Sequence, residues 1–230
     1  MNKSTQVSVI MSVFNNESTI ENCIKSILNQ TFSDFEFLIV DDGSTDDTYN
    51  KMESIAKNDN RIIIYKNSKN IGLTKNLNRL IQDSKYPIIA RQDADDFSLP
   101  NRFQKQIDFL QEKNLDGCSS RAKIIQTKKT IPNLSYYLPL KYIVKFKNPV
   151  IHGSIMLRKT ILENIGLYNE KFYYAQDFKL LHDILDSGYK FKIMKEVLYN
   201  MNFVNNISSK YLYEQNKYKK HVLQKTEPNG

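Results

Sequence analysis

The stretch VSVIMSVFNNESTIENCIKSILNQTFSDFEFLIV, residues Val7 to Val40, sets the architecture. Val7 to Val13 is a continuous apolar run of strand length. STIENCIKSILNQ then spaces Ile20, Cys23, Ile24 and Ile27 as one helical stripe, and FEFLIV, Phe35 to Val40, is a second buried strand. Strands that read as unbroken apolar runs rather than alternations belong to a sheet covered on both faces, as in parallel βαβ units.

The same order repeats downstream. A polar helix is predicted over Thr48 to Lys57 and a strand over Arg61 to Tyr65. GLTKNLNRLIQDS carries Leu73, Leu77, Leu80 and Ile81 at helical spacing, and YPIIA supplies a fourth strand. LPNRFQKQIDFLQEK reads as a helix with Pro100 in its first turn. This alternation predicts an α/β fold with a mostly parallel sheet flanked by helices. The second half is less regular. A strand is expected around Cys118 to Ile125, a loop with Pro132 and Pro139, a strand over His152 to Lys159, and a helix over Gln176 to Asp186 stopped by Gly188. KFKIMKEVLYNMNF suggests one or two closing strands. With no repeats and no linker-like composition, residues 1–204 read as one domain, followed by a tail over 205–230.

The chain has 230 residues, 40% hydrophobic and 25% charged, which is the composition of a soluble globular protein. No apolar run approaches the roughly 18 residues that span a bilayer. The N-terminus runs straight into a strand pattern without a signal-peptide core, so a cytoplasmic location is expected. Cys23 and Cys118 fit neither a disulfide framework nor a zinc site and are expected to be reduced, structural thiols. The net charge of +8 reads as lysines dispersed over a solvated surface, densest in SKYLYEQNKYKKH near the end. That basic, Tyr-rich tail is expected to be an exposed terminal helix or a contact with an anionic membrane surface.

Polar text collects after the strands: FNNES after the first, DDGSTDD after the second and DADD after the fourth. In an open parallel sheet these ends meet at the ligand-binding edge. Neither G-x-G-x-x-G nor a P-loop is present, so a phosphate has no glycine nest to hold it. Carboxylates and phosphates coexist when a divalent cation bridges them, and the D-x-D of Asp93 and Asp95 therefore points to a metal-bridged diphosphate. Residues 43 to 47 read as a turn with Ser44 capping a helix and Asp46 and Asp47 favouring its dipole, which leaves Asp41 unexplained. Asp96 is assigned to steadying the turn into the next helix. Without a cation the acidic loop should be the loosest part of the active face. Asp177, with Leu181 and Ile184, heads an apolar helical stripe, either as a dipole partner or as a functional acid. His152 is either a core residue or a catalyst.

Taken in order, VSVIMSVFNNESTIENCIKSILNQTFSDFEFLIVDDGSTDDT, NIGLTKNLN, IIARQDADDFSLPNRFQKQIDFL, NPVIHGSIMLRK and AQDFKLL resemble the family 2 glycosyltransferases, inverting nucleotide-sugar enzymes of the GT-A fold. The resemblance implies a Rossmann-like nucleotide-binding half over about 1–115 and an acceptor half over about 116–204. It implies that Asp41 contacts the nucleotide base, usually uracil, with Ser12, Val13 and Asn15 in the turn beside it. Asp93 would lie near the ribose and, with Asp95, would hold Mn²⁺ or Mg²⁺ with the diphosphate. Asp177 would be the general base, and His152 would line the acceptor side. The implied partners are a nucleotide-sugar donor, usually a UDP-sugar, and a carbohydrate or lipid-linked glycan acceptor in surface polysaccharide synthesis, with no nucleic acid. Peripheral contact with the inner face of a membrane through the tail would suit such an acceptor. Two departures stand out: Ser12, Val13, Phe14 and Asn15 replace the usual Pro-Val-Tyr-Asn, and Gln176 replaces the common Glu before the base. With no long C-terminal region or membrane span following, processive polymerisation is not expected. Two alternatives remain at this point: a nucleotide- or glycan-binding module without catalysis, and a nucleotidyltransferase on a related sheet, whose glycine-rich basic first loop FNNES does not provide.

Overall fold

The computed structural model describes residues 6–203 and 211–228. Its elements run β1 (Val7–Val13), α1 (Ile20–Leu28), β2 (Phe35–Asp41), α2 (Thr48–Ala56), β3 (Ile62–Lys66), α3 (Leu73–Asp83), β4 (Ile88–Arg91), β5 (Phe97–Ser98), α4 (Arg102–Glu112), β6 (Gly117–Ile124), β7 (Thr130–Ile131), α5 (Leu140–Ile143), β8 (Met156–Arg158), α6 (Lys159–Asn164), α7 (Gln176–Asp186), β9 (Phe191–Met201) and α8 (Leu212–Gln224). One nine-stranded sheet takes strands from both halves of the chain, in the order β3-β2-β1-β4-β8-β6-β9-β5 with β7 on β6. The first four are parallel; beyond β4 the pairing is mixed, with β8 antiparallel to both neighbours and β9 parallel to β6.

Successive side chains of a strand leave on opposite faces, and β1 shows the result. Val9 and Met11 join a core with Ile24, Ile27, Phe37 and Ile107, while Ile10 joins a second core with Leu38, Leu77, Leu80, Leu181 and Ile184. The stripe of α1 packs as its spacing predicts, with Ile20, Cys23, Ile24 and Ile27 all buried. Burying one such isoleucine removes about 1.5–3 kcal/mol worth of apolar surface from water. Both cysteines are free and buried.

The register places the strand ends together. Val13 lies opposite Asp41 and Ile10 opposite Arg91, so the carboxyl ends of β1, β2 and β4 share one edge.

The structure corrects several local expectations. His152–Ser154 is a 3₁₀ turn, and the strand expected over His152 to Lys159 shrinks to Met156–Arg158. The reason is a close approach: a Cβ on Gly153 would lie 2.1 Å from the Tyr199 hydroxyl and 2.6 Å from Asp93 Oδ2, so the chain turns there to let those groups in. Pro100 stands before α4 rather than in its first turn. Asn101 is the N-cap residue, and the Pro100 carbonyl accepts the Thr31 N–H at 2.8 Å. Ser44 does not cap α2 but accepts the Asn15 N–H, while Asp46 accepts the Thr48 N–H. KFKIMKEVLYNM contains a single eleven-residue strand. Part of the tail is α8, whose Val222 is buried and whose Tyr218 packs on Phe172 in the segment that leads into α7, with Lys225 paired to Asp186 at the end of α7 at 2.8 Å. Residues 205–210 and 229–230 of that tail lie outside the described residues.

Gly43 turns the chain just after β2 with φ of +76°, and a Cβ there would lie 2.7–2.9 Å from the backbone of Lys69 and Asn70. Neither clash partner is a flexible side chain. Gly43→Ala is therefore expected to lower unfolding free energy by about 2–4 kcal/mol in urea titration; an unchanged midpoint would show that the 67–72 segment yields freely.

Candidate active site

Three strand ends and one helix start supply the polar groups at the sheet edge. At the tip of β2, Asp41 is fully buried; its Oδ2 accepts the Ser44 N–H at 3.3 Å and its Oδ1 has no hydrogen-bond partner among the described residues. A buried carboxylate oxygen left without a donor is costly, and a ligand N–H would satisfy it. The neighbouring Asp42 accepts from the N–H groups of Ile71 and Gly72 and from Asn67 Nδ2, and so pins the loop that enters α3.

The first turn is stapled to the second. Asn15, at φ of 50°, donates its N–H to Ser44 Oγ and accepts the Thr45 N–H at 2.9 Å on Oδ1, and the Asn16 N–H reaches Thr48 Oγ1 at 2.8 Å. Val13 is buried and its carbonyl accepts the Asp42 N–H, while Ser12 Oγ accepts from Asn76 Nδ2. Ser12, Val13, Asn15 and Asp41 thus belong to one connected rim.

The acidic loop after β4 is braced from within. Gln92 is buried, and its Nε2 donates to the carbonyls of both Asp93 and Asp96. Thr19 Oγ1 donates to the Ala94 carbonyl and Cys23 Sγ to that of Asp93. Burial raises the Cys23 thiol well above its usual range, so it stays a protonated donor. The Asp93 N–H donates to Tyr199 Oη at 3.1 Å. Such a tied backbone is the opposite of the loosest segment expected from charge repulsion alone.

Charge repulsion is managed instead by Arg91, the last residue of β4, which is 3% exposed and forms an ion pair with Asp93. Arg91 is the group that the acidic sequence pattern does not reveal, although it stands two residues before the D-x-D. Asp95 makes no ion pair among the described residues; burial, and then the charge of Asp93, push its carboxyl up to about 6. Asp96 is buried and structural as expected, but its anchor differs. It takes the Asn202 N–H at 2.7 Å and a Tyr199 hydrogen bond, tying the loop to the end of β9 rather than to α4. Burial, reinforced by Asp93 and Asp95, raises it well above the usual carboxylate range.

Behind the loop sits a second buried arginine. Arg102, fully buried, donates to the Arg91 carbonyl at 2.8 Å, Ser98 Oγ at 2.8 Å, Gln92 Oε1 at 3.1 Å and Gln106 Oε1 at 2.9 Å. All four are neutral oxygens. Burial lowers its guanidinium to about 10, which leaves it charged at neutral pH. Gln106 in turn donates to the Ser154 carbonyl, so one network holds both the acidic loop and the 152–154 turn.

Asp177 lies in the first turn of α7. Oδ2 accepts Asn148 Nδ2 at 2.7 Å and Oδ1 accepts the Phe178 N–H at 2.8 Å, leaving each oxygen a further lone pair. Burial raises its carboxyl above the ordinary range, opposed by the Phe178 N–H and the charge of Arg91. The residue before this turn is strained: Ala175 has φ of 53°, in the left-handed region that a residue with a Cβ rarely enters. Gln215 of α8 accepts the Ala175 N–H at 3.1 Å, and Tyr174 packs against Tyr211 and Tyr218. The buried Oε1 of Gln176 has no partner among the described residues.

His152 Nε2 lies 2.8 Å from Tyr168 Oη, and Asn78 clamps Tyr168 through both its N–H and its carbonyl. Burial and the charge of Arg91 hold His152 well below its usual range, so it is neutral. Asp93, Asp177, His152 and Tyr168 all lie within the electrostatic reach of Arg91.

Among the described residues no group of three or more His, Cys, Asp or Glu converges on one point. Two carboxylates, Asp93 and Asp95, fit a hard divalent cation that takes one or two protein oxygens and completes its shell with phosphate and water. Such a charge would also offset the strained ionisation of Asp95.

A family model described as Glycosyl transferase family 2 matches residues 8–187. An uncharacterized glycosyltransferase of Haemophilus influenzae is 30% identical over 94% of this chain and 71% of its own length. An Escherichia coli protein named UDP-Glc:alpha-D-GlcNAc-diphosphoundecaprenol beta-1,3-glucosyltransferase WfaP is 30% identical over 80% of this chain and 72% of its own length. Among solved structures, S. aureus TarS 1-349 in complex with UDP-GlcNAc superposes with a TM-score of 0.80 at 18% identity, covering 95% of this chain. The mannosyltransferase PcManGT from Pyrobaculum calidifontis in complex with GDP-Man and Mn²⁺ gives 0.76 at 16% identity and covers 99% of this chain and 67% of its own. The chain spans 65% of that TarS fragment and 40% of the longer TarS chain. At these identities the superpositions establish the GT-A fold.

Removing the Arg91 charge tests the electrostatic core of the site. Arg91→Met is expected to cost about 3–5 kcal/mol at pH 7.5, because it strands Asp93 among other carboxylates. The cost should shrink at pH 5, where Asp95 holds a proton. Urea unfolding at the two pH values measures both, and an equal loss at each would show that charge is not the cause.

Proposed function

The chain belongs to glycosyl transferase family 2, and from that premise we propose that it transfers a sugar, with inversion, from a UDP-sugar to a hydroxyl of a lipid-linked or surface glycan. The observation that carries the reading is Asp177. It is a partly buried carboxylate with a raised pKa and free lone pairs, held beside the acidic loop at the ligand edge of the sheet.

In this reading Asp41 Oδ1 takes a ligand N–H such as that of a uracil ring, with Ser12, Val13 and Asn15 forming the rim on which the base lies. Asp93, anchored by Arg91, faces the ribose. Asp93 and Asp95 would hold Mn²⁺ or Mg²⁺, which would supply Lewis-acid stabilisation of the charge developing on the departing diphosphate. Asp177 accepts the proton of the acceptor hydroxyl as its oxygen bonds to the anomeric carbon. The bond from that carbon to the diphosphate breaks on the opposite face, and the configuration inverts. A base raised above the ordinary carboxylate range is better matched to removing a hydroxyl proton near neutral pH, a contribution of about 10²- to 10⁴-fold. Neutral His152 and Tyr168 line the acceptor side. The complexes of TarS with UDP-GlcNAc and of PcManGT with GDP-Man and Mn²⁺ support a nucleotide sugar and a divalent cation, and the name of WfaP supports a lipid diphosphate-linked acceptor.

Turnover with a panel of nucleotide sugars and Mn²⁺ is the direct test. Asp177→Asn and Asp95→Ala should each lower kcat at least about 10²-fold with the thermal midpoint of the apo protein unchanged or raised. A folded Asp177→Asn protein with full turnover would sink the base assignment.

A second test needs no turnover. Asp95 has a raised folded pKa, so its contribution to stability is fully present below its usual value of 3.8 and is lost as pH rises through about 6. Mn²⁺ with UDP should recover that loss. The thermal shift they produce is expected to be larger at pH 7.5 than at pH 5, where a proton competes for Asp95. An equal shift at both would remove Asp95 from the cation site.

A further inference from the structure

The net charge of the protein is not spread evenly. Residues 117–162 hold nine of the 33 lysines and arginines and none of the 25 acids, so this stretch carries +9 while the rest of the chain together stands at −1. The lysines of the rest of the chain, taken together, are therefore offset by acids, whereas those of this stretch are not.

The same stretch concentrates exposed apolar surface. Among the described residues, eight large hydrophobic side chains are more than half exposed. Five of them, Leu134, Tyr137, Leu138, Tyr142 and Phe146, lie within thirteen consecutive positions. Lys141, Lys145 and Lys147 are interleaved with them and exposed. The other three lie just before α7 and at the start of α8: Tyr173 precedes Ala175, and α8 opens with Leu212 and Tyr213. The segments that carry both groups are tied to the start of α7, since Asn148 bonds Asp177 and Gln215 bonds the Ala175 N–H. The segment is fixed rather than dangling, with Ile143 and Val144 buried and His182 of α7 within 3.1 Å of the Val144 carbonyl.

Grouped exposed aromatics and leucines mark an interaction surface. Their chemistry with lysine selects the partner. Tyrosine, phenylalanine and leucine enter the headgroup boundary of a bilayer, and lysines reach anionic lipid from the same face. Nucleic acid would answer the lysines but leave Leu134 and Leu138 in water. A second copy docking face to face would set one block of +9 against another.

We propose that residues 134–147 form an interfacial docking surface for an anionic lipid bilayer, seating the protein with the Asp177 end of α7 toward the headgroups. The inference takes from the proposed function only the reason such seating matters, a lipid-linked acceptor; binding itself requires no turnover. It also moves the membrane contact from the tail, where lysines are densest in sequence, to the rim of the site.

Vesicle flotation tests this with phosphatidylcholine vesicles and with vesicles containing phosphatidylglycerol. The wild-type chain should float with the anionic vesicles alone. L138S/F146S and K141Q/K145Q/K147Q should each weaken partitioning by about tenfold or more, with thermal midpoints unchanged. K217Q/K219Q/K220Q in α8 should weaken it less than either. The proposal is overturned by a wild-type chain that ignores anionic vesicles, or by binding lost in the α8 variant and kept in the other two. It is equally overturned by a wild-type dimer in sedimentation that L138S/F146S dissociates without affecting vesicle binding. A chain that floats but neither binds nor turns over a nucleotide sugar refutes the proposed function alone, and a transferase that does not float refutes this inference alone.

Discussion

The buried ion pair between Arg91 and Asp93 is the constraint around which the rest of the edge is arranged. Four carboxylates, Asp93, Asp95, Asp96 and Asp177, share a region where water is scarce, and uncompensated charges there are expensive. The compensation comes from a strand, not a loop. The backbone of Arg91 is set by pairing of β4 with β1 and by the Arg91 N–H bond to the Ile155 carbonyl, so its guanidinium arrives at a fixed place. The acidic loop then folds back over it, held by Gln92 from inside and Tyr199 from beneath. Asp95 has no ion-pair partner among the described residues, and that is where a cation is of use.

Arg102 shows how that arrangement is made rigid. A guanidinium that faces only neutral oxygens gives up Coulombic attraction, but its planar fork fixes several acceptors at once. Here those acceptors are the Arg91 carbonyl, Gln92 and Ser98, which are the foot and flank of the loop, and Gln106, which passes the constraint to Ser154. Two cations thus stand back to back: one answers the carboxylates, and the other orients the first through its main chain. The 152–154 turn can close on this assembly only because Gly153 has no side chain to collide with Asp93 and Tyr199.

What is legible in the sequence is local. The strands and helices of the first half follow from apolar runs and stripes within windows of a dozen residues, and the convergence of Asp41, Asp93 and Asp95 follows from parallel topology. The residues that local patterns miss are those whose meaning depends on partners far along the chain. Tyr199 meets Asp93 across 106 positions, Asn148 meets Asp177 across 29, and Gln92 reaches Cys23 across 69. Arg91 adjoins the acidic motif in sequence, yet only burial reveals that it is the counter-charge rather than an exposed strand end. His152 reads as the start of a strand because Gly153 carries no local sign of the tyrosine that presses on it. The charge imbalance of residues 117–162 is plain in the sequence but vanishes when the net charge is taken over the whole chain.

Ala175 has a consequence for the order in which the protein matures. Its left-handed backbone is held by Gln215, forty residues downstream, while the last strand of the sheet ends at Met201. Until α8 docks, the first turn of α7 lacks the contact that holds its strained entry, whereas the contacts that fix the acidic loop and both buried arginines all come from residues up to 202. The donor edge can thus be set without α8, and the turn at Ala175 cannot.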